Sequence, residues 1–129
     1  MEKILVAEDS FALANLLEFV LKNAGFEVNV NRSGDAACKT AMAEEFDLLL
    51  LDQQMPGMLG TEVLETIRRE GPNQSKPAFL CTAKTHELNL EDLREMLQVT
   101  DVFHKPFSPK DLVARLKTEL QTTPCSNSV

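Results

Sequence analysis

The chain has 129 residues, enough for one domain with a real core, and its 43% hydrophobic and 26% charged residues are not the composition of a disordered segment. A net charge of −7 argues against direct nucleic-acid binding and against an anionic membrane surface, since both need a basic face. No apolar stretch approaches the roughly 20 residues of a membrane span, and a strand-like pattern beginning at Ile4 leaves no room for a signal peptide.

The first run, Lys3-Ile4-Leu5-Val6-Ala7, reads as a strand and is followed at once by Glu8-Asp9. Residues 10–24 place Leu13, Leu16, Leu17, Val20 and Leu21 on one helical stripe, with Ser10 as N-cap and Gly25 as stop. Phe26 to Val30 alternates apolar and polar, the pattern of a half-exposed edge strand. Ser33-Gly34-Asp35 opens a second helix to about Glu44, with Ala36, Ala37, Ala41 and Met42 as its small buried face. Four successive leucines, 48–51, then predict a strand buried on both faces, as in a parallel sheet. It ends at Asp52 and the turn Gln53-Gln54-Met55-Pro56-Gly57.

A third helix is expected over Thr61–Glu70 around Val63, Leu64 and Ile67, and Gly71-Pro72-Asn73-Gln74-Ser75 is a loop. Pro77-Ala78-Phe79-Leu80-Cys81 is a strand running into Thr82, and a helix follows at about Leu90–Leu97. The short run Val102-Phe103 leads through His104 to Lys105 and Pro106, and a last helix runs from about Pro109 to Leu120 with Ser108 as its N-cap. Strand and helix alternate five times, which implies a parallel sheet with helices on both faces. Residues 1–121 are expected to be one domain, and 122–129 a polar tail or the start of a linker. Cys38, Cys81 and Cys125 are odd in number and widely spaced, which fits a reducing cytosol. The first two sit in apolar runs as small core residues, and Cys125 lies in the polar tail.

Parallel strands bring their carboxyl ends to one edge. Glu8, Asp9, Asp52, Thr82 and Lys105 would then converge from four separate segments, where open α/β sheets bind ligands. Taken singly, each residue has a plainer reading. Asp52 could bond its own turn, Glu8-Asp9 could be solvated turn acids, Thr82 a β-branched strand residue and Lys105 a surface charge. Their joint spacing outweighs those readings. His86 and His104 have no evident partner and read as ordinary surface or core residues.

These pieces resemble the receiver domain of bacterial two-component response regulators, over about residues 3–121. The resemblance is carried by Glu8-Asp9, Asp52, Met55-Pro56-Gly57-Met58 with Gly60 behind it, Thr82-Ala83 and Lys105-Pro106-Phe107, all in the family's order. It implies a flavodoxin-like, doubly wound fold with strand order 2-1-3-4-5, whose reversal falls between strands 1 and 3. It also implies that Asp52 accepts a phosphoryl group from a histidine kinase or histidine phosphotransfer protein. The surface of helix 4, strand 5 and helix 5 would then change toward an output domain or effector protein. A phosphorylation-dependent homodimer is a further assembly it implies, while charge, hydropathy and cysteine usage point away from direct nucleic-acid or membrane contact and toward a cytoplasmic location. The domain would be no enzyme beyond its own phosphorylation and dephosphorylation.

The chemistry agrees residue by residue. Three crowded carboxylates need a cation, and Mg²⁺ suits oxygen ligands and keeps several waters; Mn²⁺ is a substitute. Asp9 and Asp52 are expected to bind it directly and Glu8 mostly through water, while the resemblance adds the backbone carbonyl of Gln54. Asp52 is the nucleophile, Lys105 a point charge for a phosphoryl oxygen, and Thr82 a hydroxyl donor, with small Ala83 leaving the phosphate unblocked. In the family the Lys-Pro bond is cis, and Lys105–Pro106 is expected to follow.

Three departures stand out. Val102 occupies the position that usually holds Tyr or Phe, Phe103 beside it points to the opposite sheet face, and position 8 is Glu rather than Asp. The third is Gln54, which by the resemblance would lie beside the phosphate and bear on the lifetime of the acyl phosphate. Other function classes stay in view. A Mg²⁺-dependent phosphohydrolase would commonly carry an acid at position 54, where glutamine has no titratable proton. A flavin or nucleotide domain would need a phosphate-binding glycine motif after strand 1. A phosphate-independent interaction domain would need a damaged site.

Overall fold

The computed structural model of the chain describes residues 1–83 and 89–122. The strands are β1 (Lys3–Ala7), β2 (Glu27–Asn31), β3 (Leu48–Asp52), β4 (Ala78–Thr82) and β5 (Asp101–His104). Between and after them run α1 (Phe11–Asn23), α2 (Gly34–Ala43), α3 (Gly60–Arg69), α4 (Leu90–Leu97) and α5 (Pro109–Thr122). All strand pairs are parallel, in the order β2-β1-β3-β4-β5. This is the flavodoxin-like arrangement that the resemblance implies.

Strand alternation splits the core into two layers. Leu5, Ala7, Leu49, Leu51, Ala78 and Leu80 pack with residues of α2 and α3, and half-buried Leu90, Leu93 and Leu97 of α4 lie against them. Ile4, Val6, Leu48, Leu50, Phe79 and Cys81 pack on the other side with Leu17 and Leu21 of α1 and Leu112 and Leu116 of α5. Val102 belongs to the first layer and Phe103 to the second, where it stacks on Phe79 with ring centroids 5.4 Å apart. β3 and β4 are buried along their whole length, whereas β2 is a half-exposed edge.

The helix boundaries follow their local signals. Ser10 Oγ accepts from Leu13 N at the start of α1, and Gly25 takes φ +100° just beyond its end. Ser33 and Ser108 accept from the backbone N–H groups of Ala36 and Asp111 in the same way. Some faces differ from expectation. The buried residues of α1 are Ala14, Leu17 and Leu21, while Leu16 is 41% exposed. In α2, Ala37 and Ala41 are buried, but Ala36, Met42 and Cys38 are only half-buried. A helix resting on a sheet buries a narrower arc than a five-position stripe, and the flanking residues stay at the rim. Cys125, His86 and nearly all of the 122–129 tail lie outside the described residues, and His104 is exposed.

Two side chains act as long-range clamps. Fully buried Asn73 accepts from Phe46 N at 2.7 Å and donates to the carbonyls of Ala41 at 2.7 Å and Glu44 at 2.9 Å. Arg68 of α3 donates to Leu97 O at 2.8 Å and Gln98 O at 3.1 Å, and also to the carbonyls of Asn73 and Gln74. Burial pushes its pKa down, yet these four acceptors keep the guanidinium satisfied.

The Arg68 clamp matters because α4 has only eight residues, none fully buried, and ends on Gln98 at φ +56°. Short helices depend on tertiary contacts and caps. Arg68→Ala is therefore expected to cost about 2 kcal/mol in urea unfolding, and Arg68→Lys to recover less than half, because an ammonium cannot reproduce the fork. An unchanged midpoint in Arg68→Ala would show that water satisfies these carbonyls equally well.

Candidate functional site

The sheet edge formed by the carboxyl ends of β1, β3, β4 and β5 gathers the expected residues. Asp52, the last residue of β3, is 2% exposed, and Glu8, just past β1, is 1% exposed. Asp9 beside it is half-buried, and one carboxylate oxygen from each of Glu8, Asp9 and Asp52 lies within 4.8 Å of the others. From the far side, Lys105 Nζ comes to 2.8 Å from Asp52 Oδ1 and 3.2 Å from Glu8 Oε1. The Lys105–Pro106 peptide bond is cis.

The backbone explains why these groups meet. Glu8 N donates to Asn31 O, Gln53 N to Cys81 O and Lys105 N to Thr82 O, so the ladder extends past each strand end and sets the loops in register. Glu8 Oε2 accepts from Ser10 N at 3.1 Å, which bends the chain into α1. Arg32 donates to Asp9 O at 2.9 Å while its guanidinium lies over the Phe11 ring.

Electrostatics follow from this crowding. Burial pushes Asp52 up to about 6, the Glu8 and Asp9 carboxylates add to the rise, and Lys105 opposes it. For Lys105, burial works against the charged form but Asp52 and Glu8 outweigh it, so its pKa is raised. Cys81, paired with Asp52 across the sheet, is a buried thiol pushed up by burial and then by that carboxylate, which makes it an inert core residue. Asp52 Oδ1 is buried and ion-paired but accepts no well-directed hydrogen bond. A buried, under-satisfied oxygen among three carboxylates is a donor set that fits a hard divalent cation such as Mg²⁺.

The remaining predicted residues take distinct places. Thr82 ends β4, is fully buried, and donates from Oγ1 to Gln54 Oε1 at 3.1 Å. Gln54 is half-buried in the loop after β3, and Ala83 is exposed just beyond Thr82. Ala83 and Lys105 line an apolar groove of about 450 Å³ with Leu13, Leu16, Pro106 and Phe107.

Gln53 was not singled out by the sequence. It is 5% exposed, and its carboxamide accepts from Thr61 N at 2.9 Å and donates to Thr61 Oγ1 at 3.2 Å. α3 has Leu59 at its N-cap position, with no side-chain oxygen to offer; Glu62 accepts from Leu59 N, and Gln53 supplies a further cap from eight residues upstream. A helix start lacking Ser, Thr, Asp or Asn is the signal that a distant cap was needed.

Comparison with known proteins finds chains of the same fold. The chemotaxis protein CheY4 of Vibrio cholerae is 26% identical, with a TM-score of 0.82 over 92% of this chain and 98% of that one. The response regulator TrrA of Thermotoga maritima, solved in complex with Mg²⁺-BeF, is 29% identical over 92% and 98% of the two chains, with a TM-score of 0.76. A CheY-like receiver domain from Methanospirillum hungatei, at 24% identity, shares the fold over 98% of this chain and 99% of its own, with a TM-score of 0.85. The family model of the response regulator receiver domain matches residues 4–117, and the chain therefore belongs to the response regulator receiver domain family.

Proposed function

We propose that this domain takes a phosphoryl group from the phosphohistidine of a histidine kinase or histidine phosphotransfer protein onto Asp52. The observation that carries the reading is the buried Asp52 carboxylate held between Lys105 and the acids Glu8 and Asp9 at one sheet edge. A carboxylate oxygen of Asp52 attacks phosphorus, the N–P bond breaks, and the imidazole leaves with its electron pair. Mg²⁺ held by Asp9, Asp52, the Gln54 backbone carbonyl and, through water, Glu8 would neutralise phosphoryl charge. Lys105 transfers its pairing from Asp52 to a phosphoryl oxygen. Thr82 donates its hydroxyl to another oxygen, and exposed Ala83 leaves that approach open.

The domain acts only on itself, forming and losing its own acyl phosphate, and turns over no separate substrate. A phosphohydrolase reading is disfavoured because Gln54 offers no titratable proton where that chemistry needs an acid. The apolar groove beside Lys105 and the exposed Phe11, Leu16 and Phe19 of α1 favour a protein donor over a small metabolite. The output is a change on the surface of α4, β5 and α5 that an output domain, an effector or a second phosphorylated copy reads. Among the described residues no helix is long and apolar enough to cross a membrane, and the two described cysteines are free thiols; both fit a cytoplasmic protein.

Incubation with phosphoramidate or acetyl phosphate and Mg²⁺, read by intact mass, is expected to show the gain of one phosphoryl group. No gain with either donor would overturn the reading. Mg²⁺ alone is expected to raise the melting temperature, by about 2.7 kcal/mol of stabilisation at one hundred times its Kd. Asp9→Ala should remove most of that shift. Glu8→Gln should remove less, because Glu8 already spends its oxygens on Lys105 and Ser10 N. Equal shifts in wild type and Asp9→Ala would remove Asp9 from the metal site.

A further inference from the structure

We propose that Gln54 is a positioning residue that holds Thr82 in its resting orientation, so that phosphorylation of Asp52 must exchange the Thr82 hydroxyl from Gln54 to a phosphoryl oxygen. The inference rests on the phosphoacceptor reading of Asp52 and adds to it a residue that sets the cost of the switch.

Thr82 is fully buried, and its single hydroxyl proton is donated to Gln54 Oε1 at 3.1 Å. A hydroxyl has one proton to give. It cannot serve Gln54 and a phosphoryl oxygen together. The Thr82 backbone is pinned by Lys105 N donating to its carbonyl at 2.8 Å, so the exchange is a side-chain rotation rather than a strand movement.

The Gln54 side chain is equally well placed. Immediately before it, Gln53 donates its N–H to Cys81 O at 2.8 Å, accepts from Gly60 N at 3.0 Å, and sends its carboxamide the other way, to Thr61. Two adjacent glutamines thus tie the loop after β3 to α3 on one side and to β4 on the other. Position 102 in the layer under α4 is Val, so no ring at that position carries the coupling, and the change of acceptor at Thr82 is the two-state element.

A double-mutant cycle with beryllofluoride and Mg²⁺, the mimic of the phosphorylated carboxylate, tests this. Gln54→Leu removes the acceptor and is expected to tighten beryllofluoride binding about fivefold, the worth of one hydrogen bond that no longer has to be broken. In a Thr82→Ala background the same substitution should leave affinity unchanged. The Thr82 methyl resonance of metal-free Gln54→Leu should also move toward its beryllofluoride-bound position. Gln54→Met, of similar length and without an acceptor, repeats the cycle should the leucine variant not fold.

Equal tightening in both backgrounds would mean that Gln54 acts on the pocket directly, and would overturn the latch. Wild-type affinity in both Gln54→Leu and Gln54→Met would overturn it as well. Failure of the wild-type protein to bind beryllofluoride sinks instead the phosphoacceptor reading on which the latch rests.

Discussion

Asp52→Asn is expected to abolish phosphoryl uptake and, at the same time, to make the metal-free protein more stable at neutral pH. The native carboxylate is nearly inaccessible to water, and burial followed by Glu8 and Asp9 raises its pKa from 3.8 to about 6 against the pull of Lys105. A carboxyl with a folded-state pKa above its unfolded value binds more protons when folded. Stability therefore falls as pH rises from about 3.8 through about 6, and the whole penalty applies above that window. The gap is on the order of 3 kcal/mol. Asparagine keeps the shape without the charge and leaves Lys105 paired with Glu8 at 3.2 Å. The variant should thus melt several degrees above wild type at pH 7, with the advantage shrinking as pH falls below about 6. Saturating Mg²⁺ should narrow the gap at pH 7, because it stabilises the carboxylate form alone. Melting curves in chelator and in Mg²⁺ across this range check it. A variant that melts below wild type at pH 7 would show that Lys105 more than offsets the burial of the charge. The expected result, a variant more stable than wild type, makes the site a case of function held at a cost in stability.

Gly60→Ala is expected to cost about 3 kcal/mol. Helix propensity alone predicts the opposite sign, a gain of about 1 kcal/mol for alanine over glycine. A Cβ at this first position of α3 would stand 2.5 Å from the carbonyl oxygen of Asp52, and 3.1 Å from both its carbonyl carbon and Gln53 Cα. Every one of those atoms is backbone, so relief requires moving the loop that carries Gln54. Urea unfolding should show the loss, and the Mg²⁺-induced rise in melting temperature should shrink with it. A neutral or stabilising substitution would show that the loop has slack.

Both substitutions fall on residues that the sequence itself marks, but for different reasons. Asp52 stands at the end of a doubly buried leucine run, and its partners are found simply by aligning strand ends, because parallel strands share an edge. Gly60 is visible only as a motif member; the contact that requires it is a close approach between β3 and α3 that no periodicity encodes. Helix caps at Ser10, Ser33 and Ser108 were legible because each signal lies within three residues of its partner. Asn73, Arg68 and Gln53 were not, since their partners are fixed by the tertiary fold and, for Asn73 to Ala41 and Arg68 to Leu97, lie about 30 residues away in the chain. The stripe through Leu13 and Leu16 marks the apolar side of α1, and both residues also line the groove beside Lys105. An apolar residue at the rim of a core and one at the rim of a binding groove look the same in sequence.

The Arg68 clamp gives α4 a mechanical character. A helix free at both ends responds to a push by sliding along the sheet, whereas one pinned at its last carbonyls turns about the pin. α4 is roughly 12 Å long at about 1.5 Å per residue, so a displacement delivered near Asn89 becomes a tilt that is largest there and smallest at Leu97. Met96, 78% exposed one residue before the fulcrum, would hardly move, while Leu90 and Glu91 would sweep the widest arc. A partner that reads the first turn of α4 would sense the state of Asp52 as a lever's long end. One that grips Met96 would bind both states alike and serve as a constitutive anchor.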